Sequence, residues 1–162
     1  MSLGHPSAGK QEFPNDDPRF KVILKSLDPR IHFALNCGAR SCPPIRVYTE
    51  DKLEGQLDTA SVSFLDQEVS VIKDPASGKW ILELSKLFLW YGGDFGKYPS
   101  LNISCLSALI FTVPVYIGDS PEAILSWISC HISPGRVDSQ ELARDGFTIA
   151  HRDYNWTANS GS

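Results

Sequence analysis

The sequence predicts an α+β fold: a small, mainly antiparallel sheet with helices packed on it, in a single domain. Apolar residues recur at helical spacing within residues 49–65 and 120–131, and two short strand-like runs flank a turn at 74–79. Apolar residues make up 42% of the 162-residue chain and charged residues 21%, which is ordinary globular usage. The chain can therefore bury a core.

The N-terminal quarter contains a predicted loop and a predicted strand. Residues 1–19 are rich in Gly, Pro, Ser and charge, which is typical of a loop or disordered lead-in. Residues 31–37, IHFALNC, form an apolar run followed by Gly38, a pattern that favours a buried strand. Strand side chains alternate between faces. The core face is then expected to carry Ile31, Phe33, Leu35 and Cys37, and the other face His32, Ala34 and Asn36.

A helix and a hairpin are predicted next along the chain. Residues 49–65 predict an amphipathic helix, with Thr49 as its N-cap and acidic residues in its first turn. Residues 69–72 and 80–84 predict the two strands of a β-hairpin joined by the turn at 74–79.

The second half of the chain predicts further short elements. Ser85 is expected to cap a short helix at 87–91, which a Gly-Gly pair ends. Ser, Pro and Glu open the predicted helix at 120–131, a strong helix-start pattern. A short helix at 139–144 and a last strand at 147–150 complete the prediction.

Charge and composition narrow the classes of function. The net charge is −4 and the isoelectric point is about 5.5, which argues against a general nucleic-acid surface. The sequence shows no secretory h-region and no uncharged apolar run of about 20 residues, so we expect a cytoplasmic protein without a membrane span. No phosphate-binding loop, dinucleotide fingerprint or His-Glu-x-x-His motif is present, so no cofactor is predicted.

Several segments together resemble one protein family. The chain resembles the domain of unknown function 547 family in four segments that occur in the same order. They are DPRIHFALNCGARSCPPIRVYT, the following helix that ends in SFL, LSKLFLWYGGDFG and the closing HRDYNWTAN. The resemblance runs from about Phe13 to Asn159, and the IHFALNCGA and SCPP strings are its most specific part. The activity of that family is not established. In plants, domains of this family are fused to interaction or redox modules. By analogy, the resemblance suggests a non-catalytic interaction or scaffold-like module with a protein partner, and it leaves the oligomeric state open.

The chain departs from the family pattern in two places. Family members usually carry a further N-terminal part that contributes to the core, so we expect an exposed apolar face here. Residues 97–118 separate GGDFG from DSPEAILSWI, which nearly adjoin in the family. We interpret this segment as a translated retained intron, because Gly-Lys-Tyr and Tyr-Ile-Gly can be encoded by splice-donor and splice-acceptor sequences. The alternative is a genuine loop insertion. The domain is thus expected to span residues 20–159.

Two cysteines dominate the candidate site. Cys37 and Cys42 are spaced C-x4-C, but a zinc site needs two further ligands at suitable spacing, so no metal is predicted. A disulfide across the turn is geometrically feasible, although a reducing compartment disfavours it. The remaining alternatives are a structural role and cysteine nucleophile chemistry.

A thiol-dependent hydrolase or transferase is the alternative function. The catalytic candidates are Cys42, His32 and Cys37, with His32 and Cys42 the favoured thiol–imidazole pair because strand alternation separates His32 from Cys37. His151 is a second candidate partner for Cys42. The ligand-binding candidates are Asn36, which would orient the imidazole, Arg40, which would hold an anion, and Ser41, Tyr154 and Trp156.

Overall fold

The computed structural model describes residues 16–21, 27–95, 121–133 and 148–159. The helices in these ranges are α1 (Leu53–Glu68), α2 (Lys86–Trp90), α3 (Gly92–Phe95) and α4 (Pro121–His131), with 3₁₀ turns at Pro18–Lys21, Pro29–Phe33 and Glu50–Lys52. The strands are β1 (Ser70–Lys73), β2 (Trp80–Leu84) and β3 (Thr148–His151). Within the described ranges, no helix is both long enough and apolar enough to cross a membrane.

The three strands form one mixed sheet in the order β1-β2-β3. β1 and β2 are antiparallel, with Val71 opposite Leu82, and β3 runs parallel to β2, with Ile149 opposite Leu82. A parallel neighbour needs a crossover connection, and the chain passes through α2, α3 and α4 between β2 and β3. The α+β prediction is confirmed, and the sheet contains one antiparallel and one parallel pairing.

The β1–β2 hairpin has the predicted position. The Asp74 carboxylate accepts hydrogen bonds from the backbone N–H groups of Ala76 and Ser77, which folds the turn back on itself. Gly78 closes the turn at a φ of +68°, a left-handed conformation that glycine adopts without a steric cost. Local turn chemistry thus sets the hairpin.

The prediction of a strand at residues 31–37 is wrong. This part of the chain is instead the 3₁₀ turn Pro29–Phe33, followed by residues without regular structure. Asp28 caps the turn by accepting the Arg30 N–H at 2.9 Å, and proline at its first position suits a helical start. The expected alternation fails as well, because the neighbours His32 and Phe33 are both buried.

An aromatic cluster forms the centre of the core. Phe33 is 1% exposed, and its ring centroid lies 4.7 Å from that of Phe64 and 5.8 Å from that of Phe95. Trp127 from α4 closes the cluster at 4.9 Å from Phe95. Phe33 is thus the side chain that fixes the 3₁₀ turn against α1, α3 and α4, because its burial removes a large apolar surface from water.

Most of the other predicted elements are present. The helix expected at 49–65 begins with a 3₁₀ turn and continues as α1 to Glu68. Ser85 caps α2 by accepting the Leu87 N–H at 3.3 Å, and the Gly-Gly pair that was expected to end this helix instead opens α3. α4 and β3 correspond to the predicted helix at 120–131 and strand at 147–150.

Three expectations concern residues outside the described ranges. They are most of the lead-in at 1–19, the segment at 97–118 and the short helix at 139–144.

Candidate functional site

Residues 37–42 form a tight turn that is called the cysteine loop below. A hydrogen bond from the Cys42 N–H to the Ala39 carbonyl, at 3.0 Å, closes this turn. Gly38 has a φ of +83°, in the left-handed region. The Asn36 side chain spans the loop, because its oxygen accepts the Gly38 N–H at 2.7 Å and its amide donates to the Pro43 carbonyl at 2.5 Å. Asn36 therefore holds both ends of the loop instead of orienting the His32 imidazole, the role predicted for it.

The cysteine loop brings its two thiols together. The Sγ atoms of Cys37 and Cys42 lie 2.6 Å apart, and neither cysteine is in a disulfide. Cys37 also donates its backbone N–H to the Cys42 sulfur at 3.2 Å. The Tyr154 hydroxyl lies 3.1 Å from the Cys42 sulfur and 3.8 Å from the Cys37 sulfur. The two thiols and this phenol form the thiol cluster of the protein.

Electrostatics in the thiol cluster favour a thiolate at Cys42. Partial burial acts to raise the pKa of Cys42, but hydrogen bonds from Cys37, from Tyr154 and from the backbone of Cys37 and Ala39 outweigh it and lower that pKa below its ordinary value of 9.0. Burial and the neighbouring thiols raise the pKa of Tyr154. Tyr154 therefore keeps its proton and acts as a hydrogen-bond donor to the sulfur.

The C-terminal segment, residues 152–159, is bound along the cysteine loop. The Asn159 N–H donates to the Gly38 carbonyl at 2.7 Å, and the Arg40 N–H donates to the Thr157 carbonyl at 3.0 Å. Ala39 and Ala158 form an isolated antiparallel bridge. Backbone pairing thus carries Tyr154 to the thiols, although it follows Cys42 by 112 residues.

Predicted ligand residues Arg40, Ser41, Tyr154 and Trp156 all lie at this junction. The Ser41 hydroxyl accepts the Asn155 N–H at 2.9 Å, while the Arg40 side chain is exposed. Trp156 is 66% exposed, and its ring lies 4.6 Å from Tyr154 and 5.8 Å from Trp90. The junction therefore combines an aromatic surface with the two thiols.

His32 lies in a separate buried site. Its Nε2 is 3.0 Å from Asp94 Oδ2, and its ring stacks on Tyr91 with centroids 4.2 Å apart. His32 is 7% exposed and Asp94 4%. Burial lowers the pKa of His32, although the bond to Asp94 and its charge act in the opposite direction. A neutral imidazole thus donates its Nε2–H to the carboxylate.

The proposed thiol–imidazole pairs are not formed among the described residues. His32 makes no hydrogen bond with Cys37 or Cys42, because its Nε2 is bonded to Asp94. His151 is half-buried on β3 and likewise makes no hydrogen bond with either thiol. Burial, with the nearby Lys86 charge, lowers the pKa of His151.

Asp94 and Tyr91 are the polar site residues that the sequence did not identify. Both lie in the LWYGGDFG stretch, where a single acid between apolar residues at the end of a short helix was the available signal. Its partner His32 precedes Asp94 by 62 residues, and nothing local connects the two. Across the described ranges, no three His, Cys, Asp or Glu side chains are grouped so that they could hold a metal ion.

A comparison with known protein families finds a match for the part of the chain that contains the cysteine loop. The family model described as "Protein of unknown function, DUF547" matches residues 2–65. Over residues 2–65 the chain is thus similar to the DUF547 family. The predicted resemblance is confirmed over this range, which includes His32 and both cysteines, and its extension to Asn159 stays a prediction. Neither the curated proteins nor the solved structures contain a match to this chain.

Proposed function

We propose that this protein is a non-catalytic interaction module that binds an extended segment of a partner protein. The observation that supports the proposal is the solvent exposure of apolar side chains in residues 44–47, which follow the cysteine loop. Ile45 is 82% exposed and Val47 83%, although both are large apolar side chains. In an extended segment, side chains two positions apart project to the same side. Exposed apolar side chains that lie close together are typical of interaction sites.

Within the described part of the chain, the backbone of the same segment has no hydrogen-bond partner. Residues 44–47 have no helix or strand. The N–H groups of residues 45–47 and the C=O groups of residues 44–47 make no hydrogen bond to any other described residue. An extended peptide can satisfy such groups by pairing alongside them, and its apolar side chains can cover Ile45 and Val47. We therefore propose an apolar, extended polypeptide as the occupant, with backbone pairing as the source of affinity.

The arrangement of the polar residues supports a non-catalytic role. A general base must lie within hydrogen-bond reach of the group that it deprotonates. His32 is buried and bonded to Asp94, and Asn36 is used to hold the cysteine loop. These side chains are thus engaged in structural contacts and do not form a thiol–imidazole pair.

Selection of random peptides displayed on phage against the whole chain tests the proposal. We expect enrichment of peptides with several apolar residues. Their affinity should fall by at least about tenfold, or about 1.4 kcal/mol, in the double variant Ile45→Asp/Val47→Asp. Leu89→Asp is the matched control, because Leu89 is also exposed but lies on α2. No enrichment above background, or equal losses in the variant and the control, would contradict the proposal.

A specific observation favours a second candidate, a thiol-dependent hydrolase or transferase with Cys42 as the nucleophile. The lowered pKa of Cys42 and the Tyr154 hydroxyl at 3.1 Å favour a reactive thiolate. Hydrolysis of an activated ester tests this alternative. Repeated turnover that Cys42→Ser abolishes and His32→Gln leaves unchanged would support it, whereas a single acylation of the thiol without turnover counts against it.

A further inference from the structure

We infer that Cys37 and Cys42 form a thiol–disulfide exchange site, which reacts with low-molecular-mass disulfides and passes reversibly between a dithiol and an intraloop disulfide. This inference is independent of the peptide-binding proposal, because it concerns the thiols of residues 37–42 and not the apolar segment that follows them. It rests on three observations: the separation of the sulfurs, the rigidity of the loop and the different surroundings of the two thiols.

The first observation is that the loop already holds the sulfurs near bonding distance. A disulfide has an S–S length of about 2.05 Å, and the two Sγ atoms are 2.6 Å apart. Asn36 joins both ends of the loop, and the Cys42 N–H bond to the Ala39 carbonyl closes the turn inside it. The entropy of closing the ring is therefore small, since the fold has already brought the ends together.

The second observation is that the loop is held from outside as well. Gly38 and Arg40, which lie between the cysteines, are both hydrogen-bonded to the C-terminal segment. These bonds use backbone groups only, so they persist when the thiols change oxidation state. Oxidation thus needs a shift of the sulfur atoms and not a rearrangement of the loop.

The third observation assigns different roles to the two thiols. The Cys42 sulfur receives the Cys37 N–H at 3.2 Å and faces the Tyr154 hydroxyl at 3.1 Å, and both donors stabilise a thiolate. Cys42 is partly exposed, so a small disulfide can reach its sulfur. Because these two donors stabilise its thiolate, Cys42 is the attacking thiol, and Cys37 is the resolving thiol that lies beside it.

The exchange proceeds in two balanced steps with a disulfide R–S–S–R as the oxidant. The Cys42 thiolate attacks one sulfur of the oxidant, which forms a Cys42–S–S–R mixed disulfide and releases one thiolate RS⁻. Cys37 then loses its proton to RS⁻, and its sulfur attacks the Cys42 sulfur and releases the second RS⁻. This second RS⁻ takes up from solvent the proton that Cys42 released when its thiolate formed. Counted from the dithiol, the protein loses two electrons and two protons, and the oxidant becomes two RSH molecules. An excess of small thiol reverses both steps.

Peptide mapping after reaction with oxidised glutathione tests the inference on the whole chain. Trypsin cleaves after Arg30, Arg40 and Arg46, so Cys37 and Cys42 fall on separate peptides, residues 31–40 and 41–46. Unreacted thiols are blocked with N-ethylmaleimide in acid, and the digest is analysed without reduction. We expect the two peptides linked to each other after oxidation, and separate again after treatment with dithiothreitol.

Serine variants test the separate roles of the two cysteines. Cys37→Ser should stop at glutathione attached to peptide 41–46, because the resolving thiol is absent. Cys42→Ser should form adducts on Cys37 at least about tenfold more slowly, since the stabilised thiolate is lost. Tyr154→Phe should slow the first step while the linked product still forms. Circular dichroism checks that each variant keeps its fold.

Two results would overturn the inference. One is glutathione bound equally to both cysteines of the wild-type chain with no linked peptides. The other is reaction of both thiols only under denaturing conditions. Both results are read from the wild-type chain alone, so misfolding of a variant cannot produce them, and neither depends on whether residues 44–47 bind a peptide.

Discussion

At the scale of single residues, Gly38 and Asn36 decide the shape of the cysteine loop. Gly38 has a φ of +83°, and no heavy atom lies within 4 Å of the position that a Cβ would take. The requirement for glycine there is therefore conformational and not steric. Asn36 adds the hydrogen bonds that hold the loop ends in place.

Gly38→Ala should lower the free energy of unfolding by about 1 kcal/mol, because a left-handed φ is unfavourable for a residue with a Cβ. Urea denaturation measures this change. Gly78→Ala is the matched control, since Gly78 has a φ of +68° and equally open surroundings. Both variants should lose similar stability, but only Gly38→Ala should slow the linkage of Cys37 to Cys42. A neutral Gly38→Ala would contradict the conformational argument.

At the scale of elements, Arg30 connects the 3₁₀ turn Pro29–Phe33 to α1. Its guanidinium contacts Asp28 through Nε at 3.0 Å and Asp58 through Nη1 at 2.7 Å, and it also reaches Glu54. The Arg30 side chain is 15% exposed, so these bonds are partly shielded from water. The ionic network and the buried Phe33 ring together attach the turn to the helix.

Arg30→Ala should destabilise the protein by about 1–2 kcal/mol, because it leaves the partly buried Asp28 carboxylate without its partner. Lys86→Ala is the control. Lys86 also forms an ion pair, with Asp153, but that carboxylate is fully exposed, so its loss should cost clearly less than the loss of the Arg30 network. Chemical denaturation of both variants measures the difference. Equal effects would show that the Arg30 network contributes no more than a surface ion pair.

At the scale of the whole molecule, buried histidines couple folding to pH. Burial lowers the pKa of His32, His131 and His151 below the ordinary value of 6.5. Below pH 6.5 the unfolded chain takes up protons at these positions, whereas the folded chain does so only at lower pH. Stability therefore falls as the pH drops from 6.5 through the folded pKa values.

The melting temperature should accordingly decrease between pH 7 and pH 5. The range stops at pH 5 because carboxylates, with ordinary pKa values of about 3.9 for Asp and about 4.3 for Glu, are still mostly ionised there. His32→Gln should reduce the pH dependence, since its amide can still donate to Asp94 but does not titrate. Calorimetry at several pH values measures both effects. A melting temperature that is constant or rises on acidification would contradict the assignment.

Local chemistry explains which parts of the fold were predictable. The hairpin depends on Asp74 and Gly78 within its own turn, and α2 begins at Ser85, whose hydroxyl caps it. Each contact joins residues only a few positions apart. The strand predicted at residues 31–37 failed because an apolar run has the same composition whether it forms a buried strand or a 3₁₀ turn under an aromatic core.

The sequence by itself determined the α+β class, the family match over residues 2–65 and the importance of the two cysteines. Only the tertiary structure decided which groups meet. It bonds His32 to Asp94 across 62 positions and brings Tyr154 to Cys42 across 112. The physical reason is that such pairs form where packing of the aromatic core and backbone pairing of distant segments position them, and neither leaves a local pattern in the chain.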